Sequence, residues 1–78
     1  MSQQNQRAAT QISRRNLTYS LRTLQRATAL CEEAARQGSK ADLLRSLAVW
    51  EKALVETQDA KNTCLGLLSE EVEAWIDE

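Results

Sequence analysis

The sequence predicts an all-α protein, an antiparallel two-helix hairpin with its turn near residues 37–40. Three observations carry that prediction. None of the 78 residues is proline. Ala, Leu, Gln, Arg and Glu, all good helix formers, recur along the whole length. Only one stretch, Arg36-Gln37-Gly38-Ser39-Lys40-Ala41-Asp42, combines helix-stop and helix-start signals. A chain this short forms a single domain and buries only about 60% of the surface its unfolded form exposes. Charged residues at 27% and hydrophobic ones at 42% suit a folded soluble domain better than a disordered tail. The domain spans 1–78, with residues 1–9 expected to fray.

In the first helix the apolar stripe reads Leu17, Leu21 and Leu24, then Ala27 or Thr28, Cys31, and Ala34 or Ala35. Steps of three and four put these on one narrow face. Ile12 and Tyr19 sit near its edge. Gly38 suits the left-handed position just past a helix end, where a Cβ would clash. Ser39 can cap the second helix, and Asp42 three residues on completes a Ser-x-x-acid box. The second helix carries Leu43, Leu47, Trp50 and Leu54. The stripe resumes at Cys64 or Leu65, Leu68, Val72, and Trp75 or Ile76. Between the two runs, residues 57–63 offer one apolar side chain, Ala60. Two readings stand for this interval: a lightly packed helical stretch, or a buried polar contact that sets register or receives a partner.

A turn at 38–39 pairs residues whose numbers sum to about 77. Ala35 then meets Leu43, Cys31 meets Leu47, Thr28 meets Trp50, Leu24 meets Leu54, and Ile12 lies across from Leu65. Large faces small in each layer. Cys31 and Cys64 fall roughly 25 Å apart along such a hairpin, beyond disulfide reach, and read as small buried apolar groups. The residues opposite Val72, Trp75 and Ile76 would be Met1 to Asn5, which cannot cover them. Either the chain bends near 66–69, where Gly66 and the cap-like Ser69-Glu70-Glu71 could start a short third helix, or this segment meets another chain.

Charge is distributed unevenly. Residues 1–30 hold five arginines and no acid, whereas residues 61–78 hold five acids and one base. In an antiparallel hairpin the basic start lies beside the acidic finish, which favours that topology, although each exposed pair contributes only about 0–1 kcal/mol. The alternative is a nucleic-acid face made by Arg14, Arg15, Arg22 and Arg26. It would need the arginines to project away from the acidic helix, and the nearby acids disfavour it.

With no histidine in the sequence, His-based catalysis and His-containing zinc sites are excluded. No phosphate-cradling glycine loop, nucleophile elbow or acidic metal cluster is visible, so no catalytic residue, cofactor, metal or small-molecule substrate is expected. No apolar run approaches the roughly 20 residues of a membrane span, and no signal peptide is visible at the start. The expected compartment is the cytoplasm, with both thiols reduced.

A two-helix seam with neither metal nor disulfide usually needs association to be stable. The expected partner is therefore another protein chain, foreign or a second copy. The expected contact residues are Leu65, Leu68, Val72, Trp75 and Ile76, with Trp50 as a further anchor, since tryptophan is enriched at binding hot spots. The stretch from Arg36 to Asp42 and on through Trp50-Glu51-Lys52-Ala53-Leu54 resembles the small YscE/SsaE-type co-chaperones of bacterial type III secretion systems. Those are short helical hairpins with a tight glycine-containing turn. The resemblance implies a cytoplasmic protein that pairs with a larger helical-repeat chaperone and holds a secretion subunit before export. A homodimeric four-helix bundle with a structural role and an RNA- or DNA-binding hairpin are the alternatives.

Overall fold

The computed structural model describes the backbone of residues 2–76 and the side chains of residues 7–73. Two helices, α1 (Ser2–Gln37) and α2 (Lys40–Ile76), pack against each other as a hairpin. The stop and start signals work as the sequence implies. Gly38 adopts φ 74°, and its N–H donates to the Ala34 carbonyl at 3.2 Å, closing the end of α1. The Asp42 N–H donates to Ser39 Oγ at 3.4 Å, and the Leu43 N–H to the Ser39 carbonyl at 3.0 Å, opening α2. Arg36 in the last turn of α1 and Asp42 in the first turn of α2 each complement the local helix dipole.

The hairpin is a rod of 58 × 16 × 14 Å with a radius of gyration of 17.4 Å. A globular chain of this length would have a radius of about 11–12 Å. So elongated a shape leaves little interior. α2 passes Gly66 without interruption, so of the two alternatives for the C-terminal apolar residues the short third helix is not formed among the described residues. One exposed glycine costs about 1 kcal/mol in a helix, too little to break a run flanked by good helix formers.

The seam between the helices follows alternating steps of three and four residues without a break. From the turn outward, α1 contributes Ala34, Cys31, Ala27, Leu24, Ser20, Leu17, Ser13 and Thr10. α2 contributes Leu43, Ser46, Trp50, Ala53, Thr57, Ala60, Cys64 and Leu67. Opposed residues sum to 77, from Ala34 with Leu43 to Thr10 with Leu67. This is a heptad pattern, with seam positions a and d. Among the described residues the buried side chains are Thr10, Ser13, Ala27, Ala34, Ala53, Thr57 and Cys64, none larger than threonine.

That list corrects the expected stripe. Leu21 and Leu47 are exposed and Leu54 is half-buried, while their neighbours Ser20, Ser46 and Ala53 occupy the seam; of the alternatives Ala34 and Ala35, it is Ala34 that faces Leu43, and Ala35 is exposed. Helices approach most closely where side chains are smallest, so bulky leucines are displaced to the flanks. Ile12 and Leu65, expected to face each other, are both exposed.

Polar contacts fix the register. The Trp50 indole N–H donates to Thr28 Oγ1 at 3.0 Å, and Thr28 in turn donates to the Leu24 carbonyl at 2.8 Å. Buried Thr57 Oγ1 lies 2.7 Å from the Ala53 carbonyl and 3.1 Å from the Ser20 carbonyl across the seam, its single proton shared between them. The interval 57–63 therefore contains a buried polar contact between the helices. At the open end, Thr10 Oγ1 donates to Glu71 Oε1 at 2.7 Å.

Candidate protein-interaction face

With seam positions filled mostly by small residues, the large apolar side chains fall on the flanks. Among the described residues, eleven large hydrophobic side chains are exposed. Taking Leu43 as position a of α2 and Thr10 as position a of α1, positions e of both helices lie on the same edge of an antiparallel hairpin. On that edge stand Leu21 of α1 and Leu47, Leu54 and Leu68 of α2. Next to them, one step farther round α2 at positions b, are Leu44, Leu65 and Val72. Exposure follows this geometry. Leu47 and Leu68, at e, are 46% and 40% exposed, whereas Leu44 and Leu65, at b, are 71% and 59% exposed.

The result is a leucine-rich strip along one side of α2, apolar at both ends and interrupted by Glu51, Gln58 and Lys61. Its charged members from Leu44 to Leu68 are Glu51 and Lys61, and Arg14 of α1 flanks it at the level of Lys61. Leu30 and Val49 occupy the opposite edge at matching levels.

Leu65, Leu68 and Val72, expected as contact residues, therefore belong to this exposed strip. Trp50 does not. It is half-buried in the seam against Ala27 and its indole is engaged by Thr28, so the hairpin itself takes it up. The side chains of Trp75 and Ile76 lie outside the described residues. Leu44, Leu47 and Leu21 join the face although sequence reasoning gave the last two to the seam and passed over the first. The signal that could have found them is the unbroken three-four spacing of Ala, Ser, Thr and Cys, which marks where the backbones meet.

The arginines occupy a different surface. Arg15 and Arg22 stand at f, the side of α1 farthest from α2. Arg26 shares the adjacent c stripe with Tyr19, which is 71% exposed. Arg14, Arg15, Tyr19 and Arg22 line one shallow, open groove there. Arg15, Arg22 and Arg26 thus project away from the acidic helix, while Arg14 sits nearer the leucine strip.

Cys31 and Cys64 are free thiols, the first half-buried and the second buried in the seam. Among the described residues no group of three or more Cys, Asp or Glu could hold a metal ion. No helix is long and apolar enough to cross a membrane, among the residues described. No protein-family profile, curated protein or solved structure matches the chain.

Proposed function

We propose that this protein is a small helical binding module, of the adaptor or co-chaperone kind, that lays its leucine strip against helices of another protein chain. The single observation that carries this reading is the inversion of the usual core. The buried residues are no larger than threonine, while leucines line one open side of the rod. Leu44 with Leu47 and Leu65 with Leu68 form exposed apolar clusters at the two ends of the strip, and apolar patches rimmed by polar residues mark interaction sites on soluble proteins. Packing an amphipathic face into a partner's groove is the standard use of such a strip. On this reading the module works by covering and being covered, without catalysis; in its co-chaperone form the strip takes a larger helical chaperone of a secretion subunit in the cytoplasm, and in its structural form it takes a second copy.

The test is purification of the tagged chain from its host at native expression level. A stoichiometric complex is expected, lost in Leu68→Asp and retained in Arg22→Ala. A wild-type chain recovered as a helical monomer, associated with neither a foreign chain nor a second copy, would overturn the reading.

A second reading, binding of nucleic acid by the outer face of α1, is favoured by the outward placement of Arg15, Arg22 and Arg26 around exposed Tyr19. It predicts oligonucleotide binding that weakens steeply with salt and is lost on Arg15→Glu with Arg22→Glu. Salt-independent or absent binding removes it.

A further inference from the structure

We infer that the chain which covers the leucine strip is a second copy of this protein, related by a two-fold axis passing between Leu54 and Gln58 of α2. The inference rests on the protein-binding reading of the same face and names its occupant. The warrant is self-complementarity in both shape and charge.

A two-fold dimer through the strip runs the two α2 helices antiparallel, and position e of one copy then meets position b of the other. Registers differing by one heptad keep that rule, so the sequence must choose among them. One register brings Leu44 onto Leu68 of the second copy and Leu47 onto Leu65. The same register sets Glu51 opposite Lys61, twice, by symmetry. Leu54 and Gln58 meet at the centre, and Leu21 of α1 falls level with the axis. Arg14 lies within about one helical turn of the Glu51 carboxylate contributed by the other copy.

The charged residues choose between neighbouring registers. Sliding one heptad toward the open end keeps Leu54 on Leu65 and Leu47 on Val72, but it sets Glu51 on Leu68 and brings the Lys61 side chains of both copies beside the axis. Sliding one heptad toward the turn sets Lys61 on Leu44, Glu51 on Leu54 and Gln58 on Leu47. The central choice, which leaves Val72 opposite Lys40, alone pairs acid with base.

The strip also points in the direction a second hairpin needs. Positions b and e are centred about 100° round α2 from the seam with α1. That angle is close to the right angle at a corner of a four-helix bundle. From Leu44 to Leu68 the strip is about 36 Å long, and at roughly 15 Å wide it buries on the order of 1,000 Å² over two copies. This reaches the lower end of what specific association requires.

The experiment is solution mass by light scattering across a wide concentration series, with helicity recorded on the same samples. Wild type should be a helical dimer. Leu47→Asp should raise the dissociation constant at least about a hundredfold, because the axis places the change in the interface twice. Glu51→Lys and Lys61→Glu, both on exposed positions, should each weaken the dimer about tenfold. Combined in one chain they should restore it. Residues 51 and 61 are ten apart on one helix and do not face each other within a copy, so rescue reports contact between copies.

A helical wild-type monomer at every concentration would overturn the dimer, as would a double charge swap no better than either single. Should the monomer still give a host complex that Leu68→Asp abolishes, the protein-binding reading stands and only the second copy is lost. Should neither aspartate substitution affect any association, both are lost.

Discussion

Near the turn, the seam layers set Leu43 on Ala34, Ser46 on Cys31, Trp50 on Ala27 and Leu24 on Ala53. Beyond Thr57 they set Leu17 on Ala60, Ser13 on Cys64 and Thr10 on Leu67. Three of these four inner layers combine one large apolar side chain with one small one, and a hydrogen bond from the Trp50 indole ties them across. The two outermost layers carry hydroxyls. One of these, Ser13 Oγ, is buried with no hydrogen-bond partner. The contrast assigns different tasks to the two halves. The inner half holds the hairpin together, while the outer half, which also bears Leu65, Leu68 and Val72, is the weaker seam and the one a partner would firm up.

The change expected to matter most is Trp50→Ala. It empties the largest inner layer and leaves Thr28 without its indole donor, at a cost of about 2–3 kcal/mol for this half-buried ring. Urea unfolding followed by circular dichroism measures it. An equal loss from Leu67→Ala in the outer half would break the contrast.

Thr57→Val comes next. It keeps the shape at the boundary between the halves but removes the proton shared with the Ser20 carbonyl. A loss of about 1 kcal/mol is expected in the same titration, since Ser20 still accepts its own helical hydrogen bond. No loss would mean that packing alone holds the register there.

Ser13→Ala sharpens the contrast from the other side. Deleting a buried, unpaired hydroxyl should stabilise the protein by about 1 kcal/mol, seen as a higher melting temperature. The smallest effect is Gly66→Ala. A Cβ built at Gly66 meets nothing within 4 Å, so the gain should be the helix-propensity difference, about 0.5–1 kcal/mol. A destabilised Gly66→Ala would show that α2 needs its glycine there.

The turn was legible because it rests on local chemistry. Gly38, Ser39 and Asp42 specify a stop and a start within a few residues, and a fixed turn sets the pairing of everything beyond it. Thr28 against Trp50 follows directly. The inward face was less legible because hydrophobicity points to bulk, while close helix packing selects small side chains. Leu21, Leu47 and Leu54 were read as core for that reason, and Ser20, Ser46 and Thr57 were not. Of the candidate face, Val72 could be picked out because the polar start of the chain cannot cover it, and Leu65 and Leu68 were read with it as the same apolar run. Leu44 and Leu47 could be placed only once the seam was known.

The unbroken heptad spacing of the seam has a geometric consequence. A straight α-helix drifts about 20° per heptad against a seven-residue repeat, so the four heptads from Leu43 to Glu71 accumulate about 80°. Keeping the seam closed requires the two helices to coil about each other with a left-handed sense. The leucine strip repeats on the same period and must spiral with them. Any helix laid along it has to wind with the same hand. A straight helix, or one with an eleven-residue repeat, would touch the strip at one end and drift off it before the other, so the strip selects its occupant by winding as well as by side chain.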